Sequence, residues 1–158
     1  MVLNEPQDYM IELVNGGGYR LHAEAGVCTF SKPSTVRGLA KLYTVSHAGV
    51  LLYVGIAEQP MSSRLNFGFK ASGKGGYHGY KWKRLKQRLA LSVWTAKVGG
   101  KPAPLREMET VEAEVAFCCR AQSGRWPAYQ HEIHFYPSLP AHRAVAQRIY
   151  DHALSRRG

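Results

Sequence analysis

Leu42-Tyr43-Thr44-Val45-Ser46-His47-Ala48-Gly49-Val50-Leu51-Leu52-Tyr53-Val54-Gly55-Ile56 is the stretch that decides how this chain folds. Two short runs, Leu42 to Ser46 and Val50 to Ile56, are dense in β-branched, aromatic and aliphatic residues, and His47-Ala48-Gly49 separates them. Gly49 tolerates the positive φ of a short loop, so the pattern predicts a β-hairpin. A three-residue loop centred on Ala48 sets Tyr43 directly opposite Tyr53 on one sheet face, roughly 5 Å apart. A loop one residue longer or shorter offsets the pair. Tyrosine suits a half-buried pleated surface whatever its chemistry, so the two phenols take their meaning from what surrounds them.

Reading outward, Pro60 breaks the strand, and Met61-Ser62-Ser63-Arg64-Leu65 reads as the first turn of a helix, with Pro near its start and Ser available to cap. Arg64 therefore emerges beside the strand ends. A Gly-rich loop follows from Ala71 to Gly79, and a second helix is expected from about Tyr80, with Trp82, Leu85, Leu89 and Val93 on one face. Gly99-Gly100-Lys101-Pro102 marks a turn. Thr110 to Cys119 alternates Val111, Ala113, Val115 and Phe117 against Glu112, Glu114 and Ala116, which predicts a strand with both glutamates facing solvent. The stretch from Arg125 to Phe135 predicts a helix opened by Pro127 and ended before Pro137, with Glu132 as its lone acid. On the N-terminal side, Tyr9 to Asn15 and Tyr19 to Glu24 flank Gly16-Gly17-Gly18, a second small hairpin or an irregular cap.

Charge placement speaks to the partner. The chain carries a formal +10. Between Gln59 and Arg106 stand eleven Lys or Arg and no Asp or Glu, whereas the remainder holds ten basic and eleven acidic residues. The whole excess thus sits on one third of the sequence. Such a cluster is rewarded by counterion release from a polyphosphate. Lys70, Lys74, Lys81, Lys83, Arg84, Lys86 and Arg88 are the expected nucleic-acid contacts. A membrane surface explains the charge less well, because the basic stretch lacks a broad apolar face. The longest apolar run, near Val50 to Ala57, is too short to span a bilayer. The first sixteen residues lack a signal-peptide pattern. Cys28 alone and Cys118 beside Cys119 form neither a disulfide framework nor a zinc spacing, which suits a reducing cytoplasm. A chain of 158 residues is expected to form one compact unit, with residues 1–40 as an N-terminal extension packed on a core of 41–158.

Two readings compete for the metal chemistry. A carboxylate such as Glu132 is the oxygen ligand Mg²⁺ or Mn²⁺ prefers, and Mg²⁺ is commonly held by one or two carboxylates plus substrate phosphate and water. His131 and His134 offer a zinc alternative, but their spacing is not the four-residue separation of HExxH.

The ordered set of Tyr43 in Leu-Tyr-Thr-Val, Tyr53 in Tyr-Val-Gly, then Arg64, His78 and Glu132 resembles the GIY-YIG nuclease superfamily over about residues 41 to 136. Lys41 stands where the first motif usually has Gly, Val54 replaces Ile, and Gly68 falls where some members carry a histidine. The resemblance implies an α+β fold, a three-stranded antiparallel sheet flanked by helices. It also implies a divalent-metal-dependent DNA endonuclease of restriction-like or mobile-element type. Tyr43, Tyr53, Arg64, His78 and Glu132 would then be catalytic. Glu132 would hold Mg²⁺ or Mn²⁺, Arg64 would stabilise the phosphorane, a tyrosine would help deprotonate water, and His78 would relay a proton or touch the phosphate. A free phenol has a pKa near 10, so this requires positive charge nearby, from Arg64, Lys41 or the metal. A homodimer is one route to cutting both strands. Alternatives are a structure-selective repair or recombination nuclease and a non-catalytic nucleic-acid-binding protein.

Overall fold

The computed structural model describes residues 1–14, 18–76, 78–131 and 133–156. Its strands and helices follow in the order β1 (Val2–Leu3), β2 (Gln7–Val14), β3 (Gly18–Ala23), β4 (Gly26–Cys28), β5 (Lys41–His47), β6 (Val50–Ala57), α1 (Met61–Lys70), β7 (Leu89–Trp94), β8 (Ala96–Val98), β9 (Lys101–Pro102), α2 (Leu105–Ser123) and α3 (Pro140–Ser155). Two short 3₁₀ turns, Lys74–Gly76 and Lys81–Arg84, lie between α1 and β7. The fold is α+β: among the described residues three α-helices accompany two antiparallel sheets, one of six strands ordered β4-β3-β2-β7-β5-β6 and one of three ordered β1-β8-β9. No described helix is long and apolar enough to cross a membrane.

The central hairpin forms, with a tighter turn than a three-residue loop. His47 pairs with Val50, leaving Ala48 and Gly49 as a two-residue turn with φ of 48° and 76°. Positive φ at both central residues matches the right-handed twist of the flanking strands. A bulge between Val45 and Ser46 then adds one residue to the register. As a result Tyr43 pairs with Gly55, and Tyr53 pairs with Val45. The two tyrosines share a face but are set diagonally, with ring centroids 5.9 Å apart.

Two layers cover the sheet. On one face Leu42, Leu51, Val54 and Trp94 pack against Met108, Val111 and Val115 of α2 and Val145, Ile149 and Ala153 of α3. On the other, Tyr43, Val45, Tyr53, Leu91 and Val93 pack against Met61, Leu65 and Phe69 of α1, with Tyr80 and Trp82 from the connecting segment. Gln7 to Ile11 of β2 pair with β7, so the N-terminal hairpin and β4 continue the same sheet. That turns the expected three strands into six.

Three expected elements are replaced. The helix predicted from Tyr80 is a single 3₁₀ turn followed by β7, whose six residues are all buried. A strand covered on both faces loses its alternation and is hard to separate from a buried helix by spacing. The strand predicted over Thr110 to Cys119 lies inside α2: Met108, Val111, Val115 and Cys119 make a buried stripe at helical spacing. The helix predicted from Pro127 is irregular among its described residues, because its backbone is used elsewhere. Tyr129 N–H donates to Leu52 O at 2.9 Å, and the Gln130 carboxamide closes both polar atoms of Val54 at 3.0 Å each.

Candidate functional site

Arg64 reaches the tyrosine face because α1 begins where β6 has just ended. Pro60 occupies the N-cap without side-chain capping, neither nearby serine serving, and the free Met61 N–H is taken by Ser34 O at 2.9 Å. Three residues on, Arg64 N–H bonds Pro60 O at 3.0 Å, and the half-buried guanidinium lies 5.8 Å from the Tyr80 ring centroid. Among the described residues Arg64 Nε is buried without a hydrogen-bond partner. Burial works against the cation, yet Tyr43, Tyr80 and Tyr53 around it raise its pKa above the ordinary value. Arg64 is therefore a fixed positive charge among phenols.

Those phenols are packed against glycines. A Cβ on Gly55 would come within 2.7 Å of Tyr43 Cζ, Tyr43 Oη and Tyr53 Cε1. A Cβ on Gly68 would stand 2.1 Å from Tyr80 Cε2. The second glycine lets a third tyrosine, which the sequence pattern does not single out, lie flat on α1 and set its hydroxyl 2.8 Å from that of Tyr43. Tyr80 Oη also donates to Arg64 O at 3.4 Å, and its ring stacks on Trp82 at 4.7 Å. Tyr43 and Tyr80 are fully buried, while Tyr53 keeps 6% exposure. Burial raises the pKa of Tyr43 well above 10, with Tyr80 adding to the rise and Arg64 opposing it. Tyr53 is raised by burial and by Tyr43, and again Arg64 opposes. Both phenols are neutral hydrogen-bonding groups in this state.

Glu112, expected on the solvent side of a strand, lies instead on α2. It is half-buried, and burial with the nearby Glu109 pushes its carboxyl up to about 8, against the pull of Arg64. Its charge is felt in turn at Tyr53. Helical spacing in α2 was the signal that could have found it, since Val111 and Val115 fix which side faces the sheet. Glu132 lies outside the described residues. Its neighbour His131 packs edge-on against Tyr53 with ring centroids 6.2 Å apart.

His78 lines a cleft of about 490 Å³ with Tyr80, Lys81, Lys83, Arg84 and Tyr129. Its imidazole sits over Gly73, where an added Cβ would meet His78 Cε1 at 2.5 Å. Lys41 is fully buried with Nζ donating to Val36 O at 2.7 Å and Leu39 O at 2.6 Å, so it pins the turn before β5. Burial lowers its pKa to about 8, with Glu58 opposing. Lys83 is likewise engaged, donating to Ala71 O at 2.7 Å and His78 O at 3.2 Å. Lys70, Lys74, Lys81, Arg84, Lys86 and Arg88 are exposed, although Arg88 meets Glu12 at 3.3 Å.

The described donor set suits a hard cation that takes most of its ligands from water and substrate. Glu112 and Glu109 supply carboxylate oxygens, and no group of three or more His, Cys, Asp or Glu gathers among the described residues. The basic cleft, the phenols and Arg64 meet at Tyr80, and Glu112 acts on Arg64 and Tyr53 through its charge. Comparison of the chain with protein-family models, with curated proteins and with solved structures returns no match.

Proposed function

We propose that this chain is a divalent-metal-dependent DNA endonuclease of the GIY-YIG type. The observation that carries the reading is the convergence of Arg64 with Tyr43, Tyr53 and Tyr80 beside a basic cleft. The neighbouring order of β6, β5 and β7 within the larger sheet, with α1 on the tyrosine face, fits the core implied by the resemblance.

Each residue then has a task that follows from its surroundings. Lys81, Arg84 and Lys86 attract the DNA backbone. The guanidinium of Arg64, desolvated and short of a partner at Nε, takes a non-bridging phosphate oxygen and stabilises the charge that grows there during displacement. Glu112 and Glu109, with Glu132 as a further carboxylate, would be the groups to hold Mg²⁺ or Mn²⁺. Bound there, the cation supplies Lewis-acid charge neutralisation at the phosphate. Tyr53, the phenol with residual exposure, meets the attacking water, and Tyr43 backs it within the Arg64 field. His78 is placed to contact phosphate in the cleft.

A supercoiled-plasmid nicking assay in Mg²⁺ and in EDTA tests this, with Arg64→Ala, Glu112→Gln and Glu132→Gln alongside wild type. Nicking that requires Mg²⁺ and falls at least about 100-fold in Arg64→Ala is the expected result. DNA binding without any cleavage favours a binding protein instead, and equal cleavage by the Arg64 and both glutamate variants removes the site.

A further inference from the structure

The irregular segment between α2 and α3 divides two clefts. On one side Tyr129 closes the basic cleft with His78 and Arg84. On the other, Trp126, Gln130, His131, Ile133 and Phe135 line a second cleft of about 310 Å³, at the small end of ligand-sized sites. Trp126 and Phe135 form an edge-to-face pair with centroids 6.0 Å apart, and they are 44% and 55% exposed. By contrast Trp82 and Trp94 are buried. The second cleft adjoins the candidate site through its wall, where His131 packs on Tyr53.

We propose that the aromatic cleft takes one unpaired nucleobase of the DNA, an inference that rests on the nuclease reading above. Two large rings are held in water on a segment that the Tyr129 and Gln130 bonds to β6 fix in place. A base offers such rings a flat π-face, and stacking of this kind reads no base edge. The amide of Gln130 is already committed to Val54, leaving His131 and the Trp126 indole N–H as the polar groups of the lining. The cleft therefore selects the unpaired state of a base rather than its identity. A paired base is stacked within the duplex and must be extruded first, which costs unstacking energy that a bulge or gap has already lost. The neighbouring basic cleft, lined by Lys81, Lys83 and Arg84, supplies the charge that holds the adjoining backbone. The substrate class is DNA with a local loss of pairing.

Binding in EDTA to a duplex with a single bulged 2-aminopurine, compared with the same duplex fully paired, tests the inference. Wild type is expected to bind the bulged DNA at least about 5-fold more tightly and to quench the 2-aminopurine emission. Trp126→Ala loses both the preference and the quenching while keeping its affinity for the paired duplex, which also certifies its fold. Trp126→Phe retains most of the preference. Equal affinity of wild type for the two DNAs, or a preference unchanged in Trp126→Ala, overturns the inference. Wild type that nicks plasmid yet shows no bulge preference overturns this inference alone, whereas wild type that binds neither DNA overturns the nuclease reading with it.

Discussion

The hydroxyl of Tyr80 stands 2.8 Å from that of Tyr43, and neither residue has any exposed surface. Both hydroxyls are shut off from solvent, so their bond is made inside the packed core. Tyr80→Phe removes one hydrogen-bond partner of the buried Tyr43 hydroxyl while Arg64 remains beside it, and the loss of one such bond costs about 0.5–1.5 kcal/mol. Chemical denaturation should register that loss. Plasmid nicking between pH 6 and 9 should fall about 10-fold or more, with its pH profile displaced. A profile superimposable on wild type would exclude Tyr80 from proton handling at Tyr43.

Gly55→Ala tests the packing of the two motif tyrosines. The added methyl needs space that Tyr43 and Tyr53 fill at 2.7 Å, and both rings are hemmed in by Tyr80, Trp82 and α1. Overpacking of this kind costs about 1–3 kcal/mol. Activity should fall further than stability, because displaced phenols no longer meet Arg64. The comparison of melting temperature with nicking rate measures the difference.

Glu112 gives a stability prediction with a definite sign. Its carboxyl titrates near 8 in the folded chain against an ordinary value of 4.5. Between those values the folded state holds a proton that the unfolded state has released, so metal-free stability falls as pH rises from about 4.5 to about 8 and levels off above. Within that window the fall is at most about 1.4 kcal/mol for each step of one in pH. Glu112→Gln should abolish this component, making the variant the more stable protein at pH 8 in EDTA. Adding Mg²⁺ at pH 8 should raise the wild-type melting temperature and leave that of the variant nearly unchanged.

Lysines of the basic segment divide by what they already hold. Replacing Lys81, Arg84 and Lys86 with Ala should weaken DNA binding and lower the slope of log K against log salt by roughly 1 for each phosphate no longer neutralised. Lys83→Ala should act differently, since its ammonium bonds Ala71 O and His78 O. Reduced protection of residues 71–78 in hydrogen exchange is the expected signature. A salt slope changed by Lys83→Ala as much as by Lys81→Ala would contradict that division.

Asp8 ties the last helix to the sheet. Its carboxylate accepts from Ser92 Oγ at 2.5 Å, meets His152 Nε2 at 3.0 and 3.1 Å, and faces Arg156 at 3.5 Å. Asp8→Ala removes a shared acceptor from strands and helix at once. Urea denaturation should report a loss of about 2–4 kcal/mol, within the range for breaking a partly buried charged network, with little change in DNA affinity.

The hairpin and Arg64 were legible because short-range rules determine them. A glycine at the turn, a proline after the strand and an arginine in the next turn leave little freedom. The register was not legible, since the bulge after Val45 answers to pairing on both sides of β5. Trp82, Leu85, Leu89 and Val93 satisfied a helical period by coincidence, as the last two belong to a strand buried on both faces. Glu112 was hidden by the opposite coincidence, an alternation of small and acidic residues within a helix. Tyr80 was invisible for a different reason: its importance depends on Gly68, twelve positions earlier, offering a flat surface on α1.

β6 is the outer strand of the large sheet, yet Tyr129 and Gln130 occupy the groups it turns outward at Leu52 and Val54. A single carboxamide there behaves as a surrogate strand one residue long. An uncovered edge invites another chain to add on and extend the ladder. Here that route is shut at the centre of the strand, so another chain cannot extend the ladder along β6 without first displacing Gln130. Gln130→Ala would reopen the edge, and concentration-dependent self-association in light scattering would be its mark.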